Sequence, residues 1–210
     1  MINPYGLERP ENMNRRNFIL ALIAAASAFV SRSLKAAGRA DCYTTADVSG
    51  PFHRPGAPIR TNLAAGYSKS NKGEPLQVFG TVYGGDCNTP LKDAQLDLWH
   101  ADPTGEYDMH SDLFLFRARV RMDNIGNYQY ETLMPAAYRD AGMNRPKHIH
   151  YMVTAPGHKN LVTQLYFQGD PRLDNDPFVN QNGGMTRAMA YTRDSNGVNH
   201  MRFDIYLEAL

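Results

Sequence analysis

From Leu76 to the C-terminus the chain is a succession of short runs rich in β-branched, aromatic and alternating apolar residues, each closed by Gly, Pro, Asn or Asp. Candidate strands fall at 76–83, 94–100, 113–122, 127–133, 148–155, 161–168 and 200–208. Short strands separated by turn residues pack as a sandwich or barrel rather than as a parallel sheet layered with helices. In the run 94–100, Ala94, Leu96 and Leu98 share one face, the period-two pattern of a strand with one side on a core. No internal repeat or amphipathic helical period follows the N-terminal segment. The expectation is an all-β fold, an antiparallel β-sandwich with long ordered loops. Segments 41–75 and 169–199, rich in Gly, Pro, Asn and Asp, supply those loops, and loops of that length commonly carry function.

Residues 1–40 break this pattern. Arg15-Arg16 leads through Asn17 into residues 18–30, thirteen positions of which Ser27 is the polar member. A membrane-crossing helix needs about 20 apolar residues, so this run has the length of a signal-peptide core instead. The paired arginines resemble the twin-arginine export signal, and Gly38-Arg39-Ala40 offers a small-x-small cleavage site before Asp41. The alternative is a short buried helix preceded by two arginines. The expected organisation is a twin-arginine-type signal peptide over 1–40 and one domain over 41–210, exported to the periplasm or the cell exterior. An oxidising destination permits a disulfide between Cys42 and Cys87, which the sequence leaves open.

Charge follows the same division. The whole chain has 22 Lys+Arg and 21 Asp+Glu, but six basic and two acidic residues lie in 1–40. The remaining 16 basic and 19 acidic residues give 41–210 a net charge of −3, without the basic excess expected of nucleic-acid binding or a basic patch for membrane once the leader is removed. Apolar residues at 42% and charged residues at 20% are ordinary globular usage, which excludes disorder and collagen-like repeats. Two cysteines exclude a four-cysteine zinc site.

The most informative chemistry lies in Arg145-Pro146-Lys147-His148-Ile149-His150-Tyr151-Met152-Val153. On a strand, residues i and i+2 project to one face roughly 6–7 Å apart, so His148 and His150 point together while Ile149, Tyr151 and Val153 face the core. Such a pair can reach one metal ion, but by itself it also fits a polar strand face. Around it stand Leu96-Asp97-Leu98-Trp99-His100-Ala101-Asp102, Gly105-Glu106-Tyr107-Asp108, Gly126-Asn127-Tyr128-Gln129-Tyr130, Pro135-Ala136-Ala137-Tyr138 and Leu161-Val162-Thr163-Gln164-Leu165-Tyr166-Phe167-Gln168-Gly169-Asp170. In this order these segments, over roughly residues 41–170, resemble the intradiol ring-cleavage dioxygenases, the family of catechol and protocatechuate 3,4-dioxygenases.

That resemblance implies a non-haem Fe(III) held by Tyr107, Tyr138, His148 and His150, with Tyr138 and His150 axial. It implies a catechol-type substrate and O2, and a cis,cis-muconate-type diacid as product. Tyr138 is then also catalytic, as the ligand that leaves and takes a catechol proton; Arg145 is the active-site arginine, Gln164 lies beside the substrate, and His53 falls in a loop where relatives place pocket residues. The sequence departs from relatives at Ala136-Ala137 and in a short connection between Tyr138 and Arg145.

The donor chemistry agrees with ferric iron. Phenol, with a pKa of about 10, is a poor ligand until a strongly charged cation displaces its proton. Two tyrosinates and a hydroxide then neutralise Fe(III), whereas Fe(II) oxygenases typically use two histidines and a carboxylate. Two other readings stay open at this stage: a zinc or Fe(II) enzyme using His148, His150 and an acidic partner such as Asp97, and an exported β-sandwich binding module without activity. Both homo- and hetero-oligomers are compatible with the sequence.

Overall fold

The computed structural model describes residues 42–68, 73–140 and 142–210. The expected leader over 1–40 lies outside the described residues. The strands are β1 (Pro75–Tyr83), β2 (Gln95–Trp99), β3 (Arg117–Arg121), β4 (Asn127–Leu133), β5 (Tyr138–Asp140), β6 (Met143–Arg145), β7 (His148–Thr154), β8 (Leu161–Phe167), β9 (Ala188–Met189), β10 (Tyr191–Arg193), β11 (Asn199–Arg202) and β12 (Ile205–Tyr206). A short α-helix, α1 (Pro177–Gln181), lies between β8 and β9, flanked by the 3-10 turns Leu173–Asn175 and Gly184–Arg187.

Two five-stranded sheets and a small hairpin make up the fold. In one sheet β1 is central, with β4 antiparallel along one edge and β11 followed by β12 along the other; β10 flanks β11. The second sheet has the order β3-β2-β7-β8-β9, and β5 pairs with β6. The apolar positions of both sheets form one core, including Leu76, Val78, Leu96, Leu98, Tyr130, Ile149, Tyr151, Val153 and Leu165. This is the expected all-β sandwich. Most pairing is antiparallel as expected, but β1 runs parallel to β11 and β12, and β8 parallel to β9. Those parallel partners return after long connections, which a hairpin-by-hairpin reading of the sequence does not anticipate.

The expected run 200–208 is two strands, and Gly80 explains the break. The Phe203 carbonyl turns toward β1 so closely that a Cβ on Gly80 would lie 2.0 Å from it. Phe203 N–H donates to the Phe79 carbonyl at 2.9 Å, and Thr81 N–H donates to Asp204 Oδ1 at 2.9 Å, so β1 keeps its hydrogen bonds through the jog.

The segment 42–54 crosses the second sheet rather than hanging from it. Cys42 is disulfide-bonded to Cys87, with their Cα atoms 6.2 Å apart. Thr44 N–H donates to Tyr206 O, Asp47 N–H to Val162 O, and Gln164 Nε2 donates to Val48 O. This arm delivers Gly50, Phe52 and His53 to the outer face of β7.

Candidate metal centre

Strand β7 is buried on both faces. Ile149, Tyr151 and Val153 fill the sandwich core, and His148 and His150, 2% and 1% exposed, occupy the opposite face under the arm and the β5–β6 hairpin. The register sets their neighbours. His148 stands opposite Tyr166 and His150 opposite Gln164 on β8, while Trp99 on β2 pairs with His150.

Tyr138 arrives through the hairpin. Its partner across β5–β6 is Arg145, only three residues before the start of β7, so the hairpin folds Tyr138 back over the histidines. Tyr107 arrives on the loop after β2. Asp102 Oδ1 accepts from Thr104 N–H and Glu106 N–H, closing a turn just before Tyr107. Gly105, at φ +91°, lets that turn approach Tyr138: a Cβ there would lie 3.1 Å from Tyr138 Cβ.

Four donor atoms converge. Tyr107 Oη lies 3.4 Å from Tyr138 Oη and 3.4 Å from His148 Nε2; Tyr138 Oη lies 3.4 Å from His148 Nε2, and the two Nε2 atoms are 3.1 Å apart. The oxygen separations exceed the roughly 2.7–2.8 Å preferred by hydroxyl hydrogen bonds, so these groups satisfy one another poorly. By contrast, ligands about 2.0–2.1 Å from one ion and roughly 90–110° apart stand about 2.8–3.4 Å from each other. His148 Nδ1 lies 2.7 Å from the Pro146 carbonyl, which holds the proton on Nδ1 and leaves Nε2 as a bare lone pair. His150 Nδ1 is buried without a hydrogen-bond partner among the described residues. A buried lone pair facing a second imidazole nitrogen and two phenols is a donor set suited to a cation.

Electrostatics keep that set neutral until a cation arrives. Burial, reinforced by Tyr138, pushes the Tyr107 phenol well above its ordinary range, and burial raises Tyr138 as well. Burial and the Arg145 charge bring His148 down to about 3; burial, His148 and Arg145 hold His150 far below the usual histidine range. A metal ion reverses this for the phenols by stabilising phenolate directly. The residues therefore fit a hard, highly charged ion. No third His, Cys, Asp or Glu joins the two histidines among the described residues, and Asp97 is paired instead with His53, Oδ2 to Nε2 at 3.1 Å. The carboxylate-assisted zinc or Fe(II) reading has no ligand set here.

Aromatic rings wall the cluster. Trp99 lies flat on His150, with ring centroids 4.8 Å apart and planes 3° from parallel, and Phe52 stacks on Tyr107 at 4.3 Å. Arg145 and Gln164 are both buried and joined, Nη2 donating to Oε1 at 2.9 Å. The structure thus brings Tyr107, Tyr138, His148, His150, Arg145 and Gln164 into one region. His53 packs against Trp99 in a T-shaped arrangement, ring centroids 4.6 Å apart, and is tied to Asp97. His100 is likewise occupied elsewhere, between the Ala101 carbonyl and Thr132 Oγ1. Sequence reasoning missed Asp176, which binds Arg145 Nε at 2.7 Å, and Tyr166, whose hydroxyl reaches Asp47 and Gln164. The dipeptide Asp176-Pro177, a helix-start signature, was the available signal for the first.

Comparison with known proteins gives a consistent picture. A family model described as Dioxygenase matches residues 48–209. The chlorocatechol 1,2-dioxygenase of Rhodococcus opacus is 34% identical over 155 residues, covering 64% of this chain and 60% of that protein. The hydroxyquinol 1,2-dioxygenase of Nocardioides simplex is 33% identical over 183 residues, covering 79% of this chain and 61% of the relative. The chain thus spans less than two thirds of the length of either relative. Among solved structures, the dioxygenase domain of a dioxygenase carbohydrate-binding protein fusion from Streptomyces sp. SirexAA-E is 34% identical, with a TM-score of 0.67 over 80% of this chain and 99% of that one.

Proposed function

Because this chain belongs to the intradiol ring-cleavage dioxygenase family, we propose that it is a non-haem Fe(III) enzyme that inserts both atoms of O2 into a catechol-type diol, yielding a cis,cis-muconate-type diacid. The observation that carries this reading is the convergence of two phenol oxygens and two imidazole nitrogens at 3.1–3.4 Å, with no carboxylate joining the histidines among the described residues. Tyr107, Tyr138, His148 and His150 would hold the iron. When bound, Fe(III) supplies a hard Lewis acid that draws electron density from a catecholate and makes its ring carbon reactive toward O2.

The protein's own groups do the rest. Tyr138, the less buried of the two phenols, is the acceptor for one catechol proton, at Oη. Arg145, whose charge bears on all four donors, favours negative charge accumulating on the ring and its oxygens. Gln164 fixes the guanidinium through Oε1 while its own amide is held by the Val48 carbonyl. Phe52 and Trp99 cover Tyr107 and His150 and keep water from those sides. The assay is oxygen uptake by the iron-loaded domain 41–210 with catechol, protocatechuate and hydroxyquinol; stoichiometric uptake with a diacid product supports the reading, and no uptake with any of them contradicts it.

The leader 1–40 supports export by the twin-arginine route as part of the same proposal, and the Cys42–Cys87 disulfide is of the kind that persists in oxidising compartments. No helix among the described residues is long and apolar enough to cross a membrane.

A further inference from the structure

The segment after β8 carries a buried carboxylate whose two oxygens have different tasks. Asp176 Oδ1 accepts from Phe178 N–H and Val179 N–H, each at 2.9 Å, capping α1. Its Oδ2 accepts from Arg145 Nε at 2.7 Å. The same short helix places the Phe178 ring against the guanidinium, 4.6 Å from its carbon. On the other side Arg145 Nη2 donates to Gln164 Oε1, which also accepts from the Tyr166 hydroxyl at 3.0 Å. Asp176 is fully buried and Arg145 is 4% exposed, so water cannot substitute for these partners.

A guanidinium presents five N–H donors in a rigid plane. Fixing Nε by a carboxylate and Nη2 by an amide oxygen sets the plane completely, and Nη1 makes no hydrogen bond to any described residue. We propose that Asp176 is a positioning residue for the reaction: by holding Nε from the capped end of α1, it orients Arg145 so that Nη1 is the donor presented to the anionic diol. Asp176 itself does not touch the substrate. The inference rests on the proposed function, but it assigns the work of α1, a segment otherwise read as loop, to the orientation of one guanidinium.

The test combines Asp176→Asn and Arg145→Met, alone and together, with kcat, KM, thermal midpoint and anaerobic binding of 4-nitrocatechol to the iron-loaded protein. Asn retains an oxygen to cap α1 but turns an amide N–H2 toward Arg145 Nε. Misorientation predicts that D176N lowers kcat by about tenfold to a hundredfold with iron content unchanged. In the Arg145→Met background the same change alters kcat/KM by less than about twofold, because the residue acts through Arg145. D176N with wild-type kcat, or an equal loss in both backgrounds, overturns the proposal. If D176N does not fold, Asp176→Glu, which keeps the charge and displaces the guanidinium, must show the same kcat loss; wild-type kcat there overturns it equally. A wild-type protein that binds 4-nitrocatechol but consumes no O2 overturns the proposed function alone. The positioning role is then decided by whether D176N weakens 4-nitrocatechol binding at least tenfold while leaving it unchanged in Arg145→Met, and failure of that pattern rejects it.

Discussion

Tyr138 and Arg145 face each other across the β5–β6 hairpin, and Arg145 lies three residues before His148. A candidate ligand, a candidate proton acceptor and a guanidinium whose charge bears on all four donors are therefore carried by a single stretch of eleven residues, 138–148. The hairpin positions the chemistry, and β7 anchors it in the core through Ile149 and Tyr151.

Removing Tyr138's hydroxyl separates holding iron from taking a proton. Tyr138→Phe leaves Tyr107, His148 and His150, and is expected to retain iron while slowing catechol association by about tenfold or more. Stopped-flow absorbance checks this, and unchanged association kinetics count against the proton-acceptor role. His148→Ala removes a donor fixed by the Pro146 carbonyl and is expected to weaken iron binding by more than about a hundredfold, read by metal analysis after dialysis.

The disulfide ties the arm that covers the site. Cys42 and Cys87 are separated by 45 residues, so replacing both with Ser is expected to lower unfolding free energy by about 2–4 kcal/mol in chemical denaturation. Equal midpoints for the two proteins would show that the hydrogen bonds of Thr44, Thr45, Asp47 and Val48 hold the arm without help from the disulfide.

Gly80 has no room for a methyl group. Gly80→Ala forces β1 and the Phe203 carbonyl apart, and is expected to destabilise the fold by about 3 kcal/mol or more. A thermal midpoint within a degree of the parent contradicts the close approach.

Acid stability should report His100. Burial, with the Arg117 charge in support, pushes this imidazole down to about 4, against about 6.5 in an unfolded chain. Below pH 6.5 the unfolded state binds a proton that the folded state refuses, so stability is complete above 6.5 and falls as pH drops toward 4. The loss attributable to His100 approaches about 3 kcal/mol at pH 4. Denaturation of wild type and His100→Gln between pH 7.5 and 4.5 checks this; the variant should show the shallower slope, and parallel curves contradict the assignment.

The face on which β7 carries its histidines was legible because period two is enforced by the strand itself, and Ile149, Tyr151 and Val153 could be placed in the core from the same pattern. The β5–β6 hairpin was not: 138–145 has no apolar alternation, and it forms by pairing Tyr138 with Arg145 around Gly142, at φ +83°. The break between β11 and β12 depends on Gly80, some 120 residues away, a close approach that no local pattern announces. Helix α1, at five residues, is too short to display a period, although Asp176-Pro177 marks its start. His53 was expected beside the substrate; its partner Asp97 lies 44 residues along the chain and pairs with it only in the folded sandwich.

The most direct measurement is the visible spectrum of aerobically purified domain 41–210 alongside its metal content. Two tyrosinates on ferric iron give ligand-to-metal charge transfer, so the protein is expected to be red, to hold one iron per chain and to lose its colour on replacing both Tyr107 and Tyr138 with Phe. A colourless protein holding stoichiometric zinc would contradict it.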